Sequence, residues 1–324
     1  MIYENTKNLF NYATKELSQD ALLRWLFENY NCDYKDVREA SIKLLQMFIG
    51  KSIEASNVKK LKTFAQLHKM DIVVTFELDS KKHVIVIEDK TDSSEHGNQL
   101  GKYKEKAEHN FANSSLNFIY YKTNLLSNYE ATNIMSKGWK IFDIAKIQNI
   151  FSTLHETEEH QLLKDYKTYI NQLYEDLTGR LSDDISEWNF NHWTNFCINH
   201  TPKAPKGYHF GFGNFRGNYI NVWFNKNSSG TLKYPYAEVI SRDFNSRKYK
   251  NKFQLRVLLH GIDPKIVDEN VDKWKKNLKK SDLLIVRNLP KQIAKNKTYE
   301  KIHSLQELQK VFQKYIDEYA KIMV

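Results

Sequence analysis

The chain has 324 residues, of which 41% are hydrophobic and 13% aromatic, so it can bury the core of one large domain or of two ordinary ones. No run of about 18 apolar residues occurs, which argues against a membrane-spanning helix. Neither of the two cysteines, Cys32 and Cys197, belongs to a CxxC pair, which argues against a thiolate zinc site and a disulfide framework. The first residues lack a signal-peptide pattern, and we expect a cytoplasmic location.

The net charge of +10 is unevenly distributed along the chain. Residues 1–178 hold 23 lysines and arginines against 25 aspartates and glutamates, a net charge of −2. Residues 179–324 hold 26 against 14, a net charge of +12. A basic half attracts polyanions, whereas a slightly acidic half is suited to holding cations. We therefore predict two domains, 1–178 for chemistry and 179–324 for substrate binding or regulation.

The N-terminal half is predicted to alternate helices and strands. Apolar residues at helical spacing predict a first helix from about Leu17, capped by Ser18 or Thr14. Two β-branched runs predict an antiparallel hairpin. The predicted elements after the first helix are a helix over 34–49, hairpin strands over 71–76 and 83–88, a helix over 98–110, strands over 116–121 and 139–144, and a helix over 156–177. This order predicts an α/β fold with a mixed central sheet flanked by helices.

The C-terminal half is richer in glycine and aromatic residues and is predicted to be a smaller, basic α+β module. The glycine-rich segment 211–217 lacks the strand–loop–helix context of a phosphate-binding loop, so we predict a tight β-turn there. The predicted elements are strands over 219–224, 236–240 and 253–259 and helices over 264–279 and 304–322.

Three charged residues are predicted to converge at the open end of the hairpin. If the hairpin closes symmetrically over residues 80–81, Asp71 lies opposite Lys90 and Val73 lies opposite Glu88. Opposed residues share a face, and Glu88 and Lys90 share one through the two-residue period of a strand. Asp89 is expected to point its side chain to the opposite face, so only its backbone carbonyl is considered as a ligand.

Two neighbouring carboxylates favour a cation between them, because like charges raise each other's pKa. A Mg²⁺ ion prefers a few carboxylates together with waters and phosphate oxygens. Asp71 and Glu88 therefore suggest a divalent metal site, and Lys90 is placed to position a water or to offset transition-state charge.

Three segments in this order resemble the PD-(D/E)XK nuclease superfamily. They are 70–74 with Asp71, 85–90 with Glu-Asp-Lys, and 99–103 with Gln-Leu-x-x-Tyr, and the segment 15–26 resembles the first core helix of those nucleases. The resemblance covers about residues 8–145. Met70 replaces the usual proline, which contributes no ligand.

The resemblance implies a restriction-endonuclease-like core that uses Mg²⁺, with Mn²⁺ as a substitute. It implies metal ligation by Asp71 and Glu88, catalysis by Lys90, an outer or second-metal carboxylate at Glu16, and a site-bordering role for Gln99. Glu16 is also explained by the preference of a helix N-terminus for acidic residues. Tyr103 is expected to pack beside Gln99, and Asp20 is expected to be a surface residue outside the site.

Five cations around residues 242–252 alternate with aromatic residues, which suits phosphate contacts and base stacking. They are Arg242, Arg247, Lys248, Lys250 and Lys252. A solvated hairpin loop explains the same segment equally well. The lysines of 273–280 are expected to form the solvent face of a helix.

The sequence thus favours a metal-dependent nuclease that hydrolyses phosphodiester bonds in DNA, and the resemblance suggests defence against foreign DNA. Nucleic acid is the expected partner, no membrane association is expected, and a homodimer is left open. Two alternatives are retained: an RNA nuclease and a non-catalytic nucleic-acid-binding protein on a nuclease scaffold. A protein or small-ligand site in the C-terminal half is also left open.

Overall fold

A computed structural model of the chain forms two compact units, Met1–Gly179 and Arg180–Val324. The structure describes residues 8–12, 16–91, 93, 95, 98–154, 160–202, 208–214, 219–226, 236–242, 252–259, 262–281, 283–289, 292–296 and 300–322. The assignment of chemistry to one unit and substrate binding to the other stays a prediction.

The first unit is built on a five-stranded mixed sheet of order β1-β2-β3-β4-β5. The first three strands are antiparallel neighbours, whereas β3, β4 and β5 run parallel. This confirms the α/β fold with a mixed central sheet. The strands are β1 (Val58–Ala65), β2 (Ile72–Leu78), β3 (Lys81–Lys90), β4 (Ser115–Lys122) and β5 (Lys140–Phe142).

Helices precede, separate and follow the strands of this unit. They are α1 (Glu16–Glu28), α2 (Lys35–Ile49), α3 (Gln99–Asn110), α4 (Asn128–Ser136), α5 (Ile144–Ser152) and α6 (Gln161–Thr178). Helices α1 and α2 come before β1, α3 and α4 lie between strands, and α5 and α6 follow β5. No helix was predicted between the strands over 116–121 and 139–144, but α4 lies there, and the Ser127 hydroxyl caps it by accepting a hydrogen bond from the backbone N–H of Glu130. Ser18 does not cap the first helix, since it lies inside it.

The hairpin of β2 and β3 turns one residue earlier than predicted. Leu78 pairs with Lys81, so the two-residue loop is Asp79-Ser80, and φ is +51° and +62° at these residues. Positive φ at both positions is the geometry of a type I′ turn, whose twist matches that of the strands. The predicted pairs are wrong by two residues along β3, which is an even number. Each side chain therefore keeps the face that the sequence predicts.

The two faces of the sheet carry separate apolar clusters. Ile72, Ile85 and Ile87 pack into a large core with residues of α1, α2, α5 and α6. Val73 and Val86, on the opposite face, pack with residues of α3. Since side chains alternate along a strand, Glu88 lies on the α3 face and Asp89 lies on the α1 face.

The second unit contains a seven-stranded sheet of order β10-β11-β9-β8-β7-β6, with β12 paired to β9. Gly211 and Gly213, predicted to form a turn, lie instead inside a strand. The unit has its own core, which includes Trp193, Phe253 and Tyr315. Its elements are α7 (Phe190–Asn195), continued by a π-helical turn, β6 (Tyr208–Asn214), β7 (Tyr219–Lys226), β8 (Tyr236–Arg242), β9 (Lys252–Leu258), α8 (Pro264–Leu278), β10 (Leu284–Leu289), β11 (Gln292–Asn296), β12 (Glu300–Lys301) and α9 (Leu305–Ile322).

This second sheet confirms an α+β C-terminal module. Among the helices of the described ranges, none combines the length and apolar character that a bilayer crossing requires.

Candidate active site

Asp71, Glu88 and Lys90 lie together on the α3 face of the sheet. Asp71 immediately precedes β2, and continuing the register of the hairpin places it beside Glu88. Lys90 Nζ forms an ion pair with Glu88 Oε1 and lies 4.0 Å from Asp71 Oδ2. The backbone N–H of Asp89 donates to Asp71 Oδ2 at 3.3 Å, which ties the start of β2 to the end of β3. The structure therefore places the ammonium group of Lys90 between two carboxyl groups.

The electrostatics of this trio depend on burial. Glu88 has no exposed surface, and burial together with the negative charge of Asp71 raises its pKa to about 8, even though Lys90 acts in the opposite direction. Burial alone would lower the pKa of Lys90, but Glu88, Glu16 and Asp71 together raise it. Lys90 is thus held as an ammonium, and the charge of Glu88 is tolerated only when positive charge is close by.

Gln99 and Tyr103 border the trio from α3. Gln99 Nε2 donates to Glu88 Oε2 at 3.2 Å and to the Tyr103 hydroxyl at 2.7 Å. The two side chains lie one helical turn apart, so they face the sheet together. Burial raises the pKa of Tyr103 to about 12, which keeps the hydroxyl protonated. Gln99 therefore orients the Glu88 carboxyl by a direct hydrogen bond, and Tyr103 holds the Gln99 amide.

Glu16, the first residue of α1, reaches the same end of the sheet. Its Oε1 accepts from Ser93 Oγ at 2.8 Å and from the backbone N–H of Thr91 at 3.4 Å. Thr91 directly follows Lys90, so these bonds join α1 to the segment after β3. The negative charge of Glu16 also contributes to the raised pKa of Lys90.

Asp20 was expected to lie on the surface, and this expectation is wrong. It is only 6% exposed, and burial and the charge of Asp71 raise its pKa to about 6. It lies beside Asp89, which accepts a hydrogen bond from Gln19 Nε2 and whose pKa is raised above its usual range by burial and by Asp20. The one available signal was the four-residue spacing from Glu16, which puts both carboxylates on one side of α1.

The side chains of this region fit a hard divalent cation. Glu88 is a buried carboxyl whose charge needs a counter-ion, and Asp71 lies beside it with its side chain 16% exposed. Within the described residues, no group of three or more His, Cys, Asp or Glu side chains is arranged as a metal cage. Two carboxylates suit Mg²⁺, which keeps water and substrate oxygens in its shell.

The predicted nucleic-acid-binding segment lies only partly within the described residues. Arg242 and Lys252 are the terminal residues of β8 and β9. Arg247, Lys248 and Lys250 lie outside the described residues. Their contact with nucleic acid stays a prediction.

Comparison with known proteins identifies the class to which this fold and site belong. A family model described as the PD-(D/E)XK nuclease superfamily matches residues 6–171. This match covers half of the chain, and the chain belongs to that superfamily. Searches among curated proteins and among solved structures found no match. Membership identifies the protein as a nuclease-type hydrolase, and a nuclease acts on nucleic acid.

Proposed function

We propose that the chain is a Mg²⁺-dependent nuclease that hydrolyses phosphodiester bonds in DNA. The observation that supports this most directly is the ion pair of Lys90 with the buried Glu88, beside Asp71. A buried charge needs compensation, and a site with two carboxylates and one ammonium suits a divalent cation together with a phosphate. A role in defence against foreign DNA belongs to the same proposal and rests on the family resemblance.

Asp71 and Glu88 are the residues that would hold the metal. When bound, a Mg²⁺ ion supplies Lewis-acid polarisation of the phosphate and lowers the pKa of a coordinated water. Mn²⁺ is expected to substitute, because it also accepts carboxylate and water ligands.

The remaining groups act through hydrogen bonds and charge. The Lys90 ammonium donates to the attacking water or to a phosphate oxygen, and it offsets negative charge in the transition state. Gln99 holds the Glu88 carboxyl at 3.2 Å and so limits the orientations that it adopts. Glu16 holds the backbone of Thr91 and thereby the segment that follows Lys90.

The choice of DNA over RNA is part of the proposal. A phosphodiester site of this kind does not distinguish the sugars, because only contacts with the 2′-hydroxyl do so. The basic second unit is proposed to attract the polynucleotide through its net charge of +12 over residues 179–324.

The test is to replace Asp71 and Lys90 separately by Ala and to measure Mg²⁺-dependent cleavage. We expect at least a hundredfold loss of cleavage in each variant, since removing a single group that stabilises transition-state charge costs on the order of 10²–10³ in rate. Thermal unfolding of each variant provides the folding control. Cleavage by both variants at the wild-type rate would falsify the site assignment.

The substrate is tested by digestion of plasmid DNA, single-stranded DNA and total RNA side by side. Cleavage restricted to RNA would overturn the choice of DNA. Salt-dependent binding that EDTA does not change, with no cleavage in the presence of Mg²⁺ or Mn²⁺, would instead indicate a non-catalytic nucleic-acid-binding protein.

A further inference from the structure

A second lysine lies on the neighbouring strand at the level of Lys90. In the parallel pairing of β3 and β4, Glu88 is level with Tyr120 and Lys90 is level with Lys122. Residues at one level of neighbouring parallel strands share a face, so Lys122 is on the same face as Glu88 and Lys90. The backbone N–H of Thr123 donates to the Lys90 carbonyl at 3.1 Å, which fixes the two strand ends to each other.

Lys122 is buried and paired with a single carboxylate from α4. The residue is 3% exposed, and its Nζ donates to Glu130 Oε1 at 2.8 Å. The Tyr120 hydroxyl donates to the same oxygen at 3.1 Å. Glu130 is itself held in place, because its backbone N–H donates to the Ser127 hydroxyl at the start of α4. The carboxylate therefore fixes Lys122 at the end of β4.

The ammonium of Lys122 has hydrogen-bonding capacity left over. An ammonium carries three N–H donors, and within the described part of the chain Glu130 is the acceptor that the structure gives it. A buried lysine is costly unless its donors find partners. Lys122 is about as buried as Lys90, at 3% against 7%. Both lysines are thus largely buried at the paired ends of β3 and β4.

We propose that Lys122 is a second phosphate-binding residue of the site, contacting the phosphate next to the scissile one. This inference rests on the proposed nuclease function. Neighbouring strands lie about 4.8 Å apart, and a polynucleotide carries a phosphate at every nucleotide. A polynucleotide whose scissile phosphate contacts Lys90 thus brings an adjacent phosphate within reach of Lys122. Glu130 keeps the ammonium in place when no phosphate is bound.

The experiment measures binding of a fluorescently labelled DNA duplex in EDTA, where cleavage is prevented, over a range of salt concentrations. Labelled single-stranded DNA and RNA are measured in parallel, and the tightest-bound probe is used for the comparison. We expect Lys122→Met to weaken binding on the order of tenfold. The slope of log K against log salt should fall by about 0.9 for a duplex or about 0.7 for a single strand. Lys122→Arg should restore both quantities.

Glu130→Gln separates a phosphate contact from a merely structural ion pair. The amide keeps an acceptor oxygen but removes the competing negative charge, so binding should tighten by about twofold. If the pair is only structural, both Lys122→Met and Glu130→Gln weaken binding in proportion to their loss of thermal stability, and the proposal is overturned.

Lys140→Met is the matched control. It removes the same charge from the same sheet, but Lys140 is level with Ile119, on the opposite face, where its Nζ donates to the Phe48 carbonyl at 2.8 Å. Its salt slope should equal that of the wild type. If the wild type cleaves DNA but Lys122→Met binds DNA with the wild-type affinity and salt slope, this inference alone is overturned. A wild type that neither binds nor cleaves any of the probes overturns the nuclease proposal and this inference with it.

Discussion

At the scale of single residues, the buried environment of Glu88 disfavours the ionised form of its carboxyl group. Its carboxyl is fully buried, and its pKa of about 8 lies well above the ordinary value of 4.5. The folded protein therefore binds a proton at Glu88 that the unfolded chain releases at lower pH. Without a metal, this contribution to stability is complete below about pH 4.5 and is lost as the pH rises through about 8.

The loss of stability with rising pH leads to a prediction for Glu88→Gln, in which the amide imitates the protonated carboxyl group. In EDTA, the variant should match the wild type in thermal stability near pH 5 and exceed it near pH 8.5, by a few kcal/mol at most. Added Mg²⁺ or Mn²⁺ should raise the melting temperature of the wild type but not that of the variant. Thermal unfolding at both pH values, with and without metal, checks both statements.

Two outcomes would contradict this prediction. A variant that is less stable than the wild type at pH 8.5 in EDTA would show that the charge of Glu88 is fully compensated by Lys90. Equal stabilisation of both proteins by metal would remove Glu88 from the metal site.

At the scale of elements, the β2–β3 turn sets the register that brings Asp71 beside Glu88. Both loop residues have positive φ, yet neither is glycine. A residue with a Cβ is disfavoured in that region, whereas glycine adopts it freely. The turn is therefore held by the strands that it connects, since β2 and β3 pair along their whole facing length.

We predict that Ser80→Gly stabilises the protein by about 0.5–1 kcal/mol, because Asp-Gly is a preferred type I′ sequence. Ser80→Val should destabilise it, since β-branched residues are strained at positive φ. Urea unfolding of the two variants measures both effects. Nuclease activity, where it is detected, should be unchanged in Ser80→Gly, because the turn lies at the far end of β3 from Lys90. Destabilisation by glycine would argue against this turn geometry.

The order of elements around the hairpin follows from local patterns, whereas the pairing does not. The β-branched runs predict β2 and β3 because such side chains suit a pleated surface. The polar break Asp79-Ser80-Lys81-Lys82 allows more than one two-residue turn, and each such turn pairs β2 with β3 in a different register. Helix α4 was missed because its sequence between Asn128 and Ser136 is mostly polar, and burial of residues such as Ile134 is a tertiary effect.

At the scale of the whole molecule, each unit contains the core that independent folding requires. The first unit holds both apolar clusters of the mixed sheet, and the second holds the cluster around Trp193. The charge difference between the two parts of the chain, −2 against +12, is a separate property that affects polyanion binding.

We predict that a fragment of residues 1–179 folds cooperatively and retains Mg²⁺-dependent cleavage, but binds DNA more weakly and with a smaller salt slope than the full chain. Circular dichroism on heating measures folding, and cleavage and binding assays measure the rest. A folded fragment with the affinity and slope of the full chain would assign DNA binding to the first unit. A folded fragment without cleavage would show that the second unit contributes to the chemistry.

The sequence alone was enough to predict the family, the hairpin of β2 and β3 with α3 and β4 after it, and the face that Asp71, Glu88 and Lys90 share. These depend on residue spacing and on the two-residue period of a strand, which local chemistry dictates. Three further features appear only in the folded chain: Asp71 is level with Glu88, Asp20 is buried beside Asp89, and Lys122 lies level with Lys90. The physical reason is that register and burial arise between segments distant in the chain, where no local pattern records which residues meet.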